Sequence, residues 1–218
     1  MLSNERRLWR GGCRWLAGVD EVGRGPLAGP VVAVAVVLSP AYALAEEQGA
    51  LAGLTDSKQL TPGARERFCA LLRGADGVAI GLGLADPIEI DRINILNATH
   101  LAMTRAIAAL PVCAQHALVD GLPPKGLPCT STAIVGGDGK SLSIAAASVV
   151  AKVYRDRYMC EQDRVFPGYG FAAHKGYGTI VHMQALLELG PCVLHRRSFR
   201  PVREAEDLIR RRLHQGVG

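Results

Sequence analysis

Aromatic side chains are scarce in this chain: Phe, Trp and Tyr together make up 5% of 218 residues. Aliphatic and alanine packing must therefore fill any core. The six cysteines, at 13, 69, 113, 129, 160 and 192, include no CxxC pair. The length is wrong for a small disulfide scaffold, and the spacing shows no recognisable zinc cluster. Cys192 lies three residues before His195, but a closed zinc site needs two further ligands in a readable pattern. All six are expected to be reduced, mostly buried thiols of a cytoplasmic protein. Long apolar runs are missing too. The longest, Val31 to Leu38, is far too short to cross a bilayer, and the opening MLSNERRLWRGG has no apolar core of a signal peptide. No membrane partner is expected. Repeats and low-complexity tracts are absent.

What is present fits one folded domain with at most a small appendage. Hydrophobic residues make up 49% of the chain, enough for a substantial core and too many for disorder beyond the termini. The formal net charge is +5, a balance that suits a polyanionic partner such as nucleic acid. Arg196, Arg197, Arg200 and Arg203, then Arg210, Arg211 and Arg212, concentrate positive charge near the C-terminus. A solvated helix face and a phosphate-contacting face both account for such a run.

Strands are predicted for Trp15 to Val19, for the β-branched run VVAVAVVL at 31–38, for 78–84, for 117–119 and for 132–135. The first two, separated by the Gly/Pro-rich connector GRGPLAGP, should pair antiparallel. Helices are predicted from Thr61-Pro62 to Arg73, from Asp86-Pro87 to about Leu110, from Leu142 to about Asp163, and near 179–189 and 203–213. The expected architecture is α/β. A mixed five-stranded sheet is flanked by helices over residues 14–165, and a helical C-terminal subdomain covers residues 166–218.

Acidic residues recur at the ends of these strands. Asp20-Glu21 closes the first, Asp120 closes a later one and Asp138 follows another directly, each beside glycine. For any single site a turn-forming aspartate is an adequate reading. Together, on neighbouring strands, four carboxylates would repel one another unless a cation or proton joined them. An all-oxygen donor set suits Mg2+ or Mn2+. Strand alternation raises a geometric difficulty, since adjacent side chains point to opposite faces and Asp20 and Glu21 should diverge.

The segments AGVDEVGRGPLAGPVVAVAVVL, TDSKQL, INILNATHLAM, VDG, GD followed by IAAASVVAKVYRD, and HKGYGT with HRRSF, running from about Leu16 to Val202, closely resemble bacterial ribonuclease HII, the type 2 ribonuclease H. The resemblance implies a ribonuclease H-like fold and hydrolysis of the RNA strand of RNA–DNA hybrids. It also implies cleavage on the 5′ side of single ribonucleotides embedded in duplex DNA. It carries a catalytic and metal-binding set onto Asp20, Glu21, Asp120 and Asp138, holding two Mg2+ or Mn2+ ions during catalysis. Gly23, Arg24 and Gly25 are assigned to the ribose, and Tyr177 to the RNA–DNA junction. Lys58, Ser148 and Lys152 are candidate substrate contacts, as are Arg155 and Lys175 for phosphates. About 15 residues precede the first strand, so type 2 is expected over type 3, which carries an extra N-terminal domain. The chain departs from the family at Gly136-Gly137-Asp138-Gly139, where KGDS is common, and Lys140 is a candidate replacement for the missing lysine. A monomer is expected. His174, His182 and His195 read as structural. The competing readings are a DNA nuclease of the same fold and a nucleic-acid-binding protein without catalysis.

Overall fold

The structure is a computed structural model that describes residues 1–215, with side chains described through residue 212; residues 216–218, the end of the expected C-terminal region, lie outside the described residues. Five strands, β1 (Leu16–Val22), β2 (Val31–Leu38), β3 (Val78–Ala85), β4 (His116–Asp120) and β5 (Thr130–Ile134), form one sheet in the order β3-β2-β1-β4-β5. β1 pairs antiparallel with β2 and parallel with β4, and β4 pairs parallel with β5. The sheet is thus mixed, as expected. Eight helices are described: α1 (Ser3–Arg10), α2 (Pro40–Glu46), α3 (Pro62–Gly74), α4 (Pro87–Ala108), α5 (Leu142–Val165), α6 (Phe171–His174), α7 (Ile180–Leu189) and α8 (Arg200–Gln215).

Local chemistry explains most boundaries. β2 is buried along its whole length, which is why it reads as an unbroken apolar run rather than an alternation. Thr61 caps α3 through its hydroxyl, which accepts from Ala64 N at 3.2 Å, with Pro62 at the first helical position. Asp86 and Glu89 cap the start of α4 reciprocally: Glu89 N donates to Asp86 Oδ1 (2.8 Å) and Asp86 N to Glu89 Oε2 (3.1 Å). The uninterrupted helix expected here breaks at Asn94, whose φ of 65° is non-helical; its Oδ1 then accepts from Asn97 N at 3.1 Å and caps the second half. The N-terminal helix α1 and the short α2 and α6 were not expected. Glu5 of α1 is buried and its Oε1 accepts from Ser141 Oγ (2.6 Å), Ser143 Oγ (2.9 Å) and Ser143 N (3.1 Å). A carboxylate at the positive end of α5 anchors that helix.

The chain divides into two compact units. The first comprises Met1–Val22, Val32–Leu84 and Thr99–Val153; the second comprises Gly23–Val31, Ala85–Ala98 and Tyr154–Gly218. These do not follow a division at residue 165, because α4 and α5 each contribute to both and the GRGPLAGP connector belongs to the second. In the first unit, β2 packs its valines with Phe68 and Leu72 of α3 and with Ala145, Ala146, Val149 and Val150 of α5. α5 packs tightly on β1 at Gly18: a Cβ there would sit 2.1 Å from the Ser143 carbonyl carbon, so no larger residue fits. Two smaller clusters hold the second unit, one around Met159, Tyr169 and Phe171 and one around Leu27, Leu186 and Val202. The six cysteines are free, as expected. Their burial is not: only Cys69 is buried, Cys113 is exposed and the other four are half-buried. Among the described residues, no helix is long and apolar enough to cross a membrane.

Candidate active site

Parallel pairing brings the acids together. Val19 is level with Val119 on β4, so Asp20 and Asp120 are the next residues of two adjacent parallel strands. Asp120 is in turn level with Ile134 of β5, and a single turn of 3-10 helix over Gly137–Gly139 then presents Asp138. Three neighbouring parallel strands therefore deliver carboxylates to one edge of the sheet, the edge at which open α/β sheets place their sites.

Electrostatics records this convergence. Asp20 is 6% exposed. Burial pushes its carboxyl well above the usual carboxylate range, and the charges of Glu21 and Asp120 push it further; hydrogen bonds from Ser148 and from Glu21 N oppose the rise. Asp138 is raised by burial, by Asp120 and by Asp56, and Lys58 opposes this. Glu21 acts on Asp20 even though it is the next residue of the same strand. Asp20 Oδ1 accepts from Glu21 N (2.7 Å) and Asp120 Oδ1 from Gly137 N (2.6 Å), bonds that orient both carboxylates. Among the described residues, no group of three or more His, Cys, Asp or Glu side chains forms a ready-made cation shell. The donor chemistry nevertheless fits a divalent cation. All the donors are carboxylate oxygens, and they repel one another in partly desolvated surroundings, which a hard cation relieves.

The flanking residues take varied places. Ser148 is buried on α5, its hydroxyl oxygen 3.0 Å from Ser57 Oγ as well as bonding Asp20. Its position serves the carboxylate. Lys58 is exposed and its amide donates to Asp56 Oδ1 at 2.9 Å. Lys152 is half-buried one turn after Ser148. Lys140 donates to Val135 O (2.6 Å), so its amine closes its own turn. Asp56 is an acidic neighbour that sequence reasoning passed over. Its signal in the sequence is the TDSKQL motif, where it stands two residues before Lys58.

The second unit holds the remaining predicted residues. Arg24 and Gly25 are exposed and Gly23 is buried. A Cβ on Gly25 would lie 3.8 Å from Tyr177 Cε1, which brings GRG and the tyrosine together. Tyr177 is 44% exposed, and the histidines fix its backbone: Tyr177 N donates to His174 O (2.9 Å), and Tyr177 O lies 2.9 Å from His182 Nδ1. His182 Nε2 lies 3.1 Å from His195 Nε2, and both rings are buried, in keeping with a structural role.

Two predicted phosphate contacts are corrected here. Arg155 is fully buried, and its guanidinium donates to the carbonyls of Pro30, Lys175 and Ala28. The Lys175 amine is turned inward, bonding Ala172 O and Cys160 Sγ. Both residues spend their donors on the protein. The C-terminal arginine run is also mixed: Arg196 is fully buried, while Arg197 and Arg210 pair with Glu206, and Arg200 with Glu204.

The strand order and the acid-bearing edge define a hydrolase of the ribonuclease H type. The fold is shared with ribonuclease H2 from Pyrococcus horikoshii OT3, at TM-score 0.74 and 29% identity over 90% of this chain and 99% of that one. It is shared too with Bst ribonuclease HIII in complex with Mn2+, at TM-score 0.71 and 18% identity over 90% of this chain and 70% of that one. The family model for ribonuclease HII matches residues 17–202. The chain is also 52% identical over 204 residues to ribonuclease HII of Chloroflexus aurantiacus, covering 94% of this chain and 95% of that protein. The chain belongs to the ribonuclease HII family.

Proposed function

We propose that this protein hydrolyses the RNA strand of RNA–DNA hybrids and cuts 5′ of single ribonucleotides embedded in duplex DNA, leaving 3′-hydroxyl and 5′-phosphate ends. The observation that carries the reading is the delivery of Asp20, Asp120 and Asp138 to one sheet edge by three neighbouring strands, where Glu21 and Asp120 raise buried Asp20 and Asp120 raises Asp138. These four are the residues that would hold Mg2+ or Mn2+. Two such ions, when bound, supply a nucleophile at neutral pH and neutralise charge on the phosphate and leaving oxygen. The protein's own part is positional. Ser148 and the Glu21 amide hold the Asp20 carboxylate, and the Gly137 amide holds Asp120.

Selectivity for RNA requires recognition of the 2′-hydroxyl. Only Val22 separates Glu21 from Gly23 in the sequence, so a ribose read by GRG lies close along the chain to the acids. Tyr177, exposed and beside Gly25, offers a ring and hydroxyl for the junction. Lys58 and Lys152 are assigned to substrate phosphates. We assign the protein a role in removing ribonucleotides from DNA, in the cytoplasm and as a monomer. The test is cleavage of a DNA duplex carrying one ribonucleotide, and of a long hybrid, each with Mg2+ and with Mn2+. Cutting of both, with 5′-phosphate ends, is expected. Inertness toward both with either metal, or cutting of branched DNA alone, would sink the reading.

A further inference from the structure

Arg196 and Arg155 are fully buried cations that face carbonyl oxygens. Arg196 Nε donates to Gly29 O (2.9 Å), Nη1 to Arg24 O (2.9 Å) and Nη2 to Gly23 O (2.5 Å). The same connector is bonded along its length: Arg196 N donates to Leu27 O (2.9 Å), Gly29 N to Leu194 O (2.8 Å) and Leu27 N to Gly176 O (2.8 Å). Arg155 takes Pro30 O and Ala28 O on one side and Lys175 O on the other. Gly23 is needed where this packing is tightest. Its φ is 91°, and a Cβ would sit 2.2 Å from Arg155 Nε.

The consequence lies in the peptide planes. The chain contains no cis peptide bond among the described residues, and in a trans peptide the C=O and the following N–H point in opposite directions. With the Gly23 and Arg24 carbonyls both turned onto the guanidinium, the Arg24 and Gly25 N–H groups point away from it. Two consecutive amides facing one way make a shallow donor site for an oxygen or an anion. A planar guanidinium with donors in a fixed fork can hold three carbonyls in this way, and a lysine ammonium on a flexible stem holds them less rigidly.

We propose that Arg196 is a specificity-determining positioning residue. By capturing the Gly23 and Arg24 carbonyls, it turns the amide edge of GRG outward as the donor side of ribose recognition. This rests on the proposed ribose-reading role of GRG, and it sharpens that role. The loop meets the ribose and its phosphate chiefly as a donor, because the carbonyls of Gly23 and Arg24 are already engaged. Burial, then the charge of Arg155, pushes the Arg196 pKa down to about 9. The residue therefore remains a cation at neutral pH and biases the amides toward electron-rich partners.

The experiment compares wild type with Arg196→Lys on a DNA duplex carrying one ribonucleotide and on the matched all-DNA duplex. For the variant, kcat on the ribonucleotide duplex should fall by about 30-fold or more, while its Kd for the all-DNA duplex stays within about twofold of wild type. A folded variant with wild-type kcat, or one that loses kcat and all-DNA affinity in equal proportion, overturns the proposal. If Arg196→Lys does not fold, amide NMR of Asp20→Asn, used as a non-cleaving form, replaces it. The Arg24 and Gly25 amide resonances should shift with the ribonucleotide duplex and not with the all-DNA duplex; equal shifts, or none, overturn the proposal. A wild type that does not cut the ribonucleotide duplex would instead refute the functional reading itself, so the two failures are distinct.

Discussion

The acidic edge of the sheet and the arginine-held connector handle buried charge in opposite ways. At the edge, Asp20 is buried among other acids, and the hydrogen bonds it receives leave its carboxyl raised well above the ordinary range. At the connector, Arg155 and Arg196 are buried with Asp156 and Asp91 as nearby charges, and carbonyl oxygens accept from their guanidinium groups. Buried charge of one sign that repels itself invites a mobile counter-ion. Buried charge saturated by backbone dipoles fixes a loop. The first region is built to take up something from solution, the second to keep one shape.

The largest effect should come from removing the charge at the centre of the first region. Asp20→Asn is expected to lower cleavage by at least about a thousandfold with duplex binding retained, because the site loses its most buried ligand. The same variant should be more stable than wild type when cations are chelated. The folded-state pKa of Asp20 is raised, so its stabilising contribution is complete at acid pH and is lost as pH rises through that pKa. Asn carries no charge to lose. Thermal melts in chelator should therefore show the variant ahead at neutral pH and level with wild type below about pH 4, the ordinary carboxylate range. A variant less stable at neutral pH in chelator would mean that repulsion does not govern this edge.

Removing Arg155 from the second region should show first as a loss of stability. Arg155→Met keeps the volume but orphans the carbonyls of Pro30, Ala28 and Lys175. Leaving such buried partners unmatched costs on the order of 3–5 kcal/mol. Chemical denaturation should show this loss with and without Mg2+, whereas the Asp20→Asn effect depends on cations. A loss under about 1 kcal/mol would show that water replaces the guanidinium and that the connector is not held by it.

The histidines beside Tyr177 should make this same region acid-sensitive. Burial, followed by the proximity of His182, pushes His195 down to about 4, and His182 is lowered chiefly by burial. Both pKa values are depressed, so the unfolded chain takes up protons first. Stability is complete above about pH 6.5 and is lost as pH falls toward 4. For His195 alone the loss is on the order of 3 kcal/mol. The removal of Asp20 repulsion acts in the opposite direction over the same range, so His195→Gln should flatten the acid limb and leave the neutral-pH behaviour of the acidic edge intact. An unchanged acid limb in that variant would place the sensitivity elsewhere.

How far each region was legible follows from how each is made. The acidic edge could be read because strands are local: apolar runs ending in Asp20-Glu21, Asp120 and Asp138 mark positions, and parallel pairing then aligns their ends. Asp56 escaped because a loop residue has no period to betray it. The connector was largely illegible. Arg155 and Arg196 look like surface cations, since arginine is mostly exposed, and their burial depends on carbonyls far away in sequence. Glu5 is hidden for the same reason, its partners Ser141 and Ser143 lying on the far side of the chain. The break at Asn94 came from a single residue adopting a positive φ inside an otherwise periodic helix.

Ser148 offers the finest test, because it tunes the acidic edge without belonging to it. Its hydroxyl bonds Asp20 and lies 3.0 Å from Ser57 Oγ, and the bond to Asp20 favours the charged form. In Ser148→Ala the carboxyl should rise further, so a higher pH is needed to ionise it. The rising limb of the pH–rate profile should move alkaline, and the Mg2+ concentration for half-maximal rate should increase by about tenfold, as when a hydrogen-bonding partner of a ligand is removed. At saturating Mg2+ and high pH the rate should return close to wild type, since the four acids remain in place. Ser148→Thr, which restores a hydroxyl, should recover most of the shift if the methyl group is accommodated. A loss of rate that neither Mg2+ nor pH restores would make Ser148 a substrate contact and not a tuner of Asp20. The acidic edge would then extend onto α5.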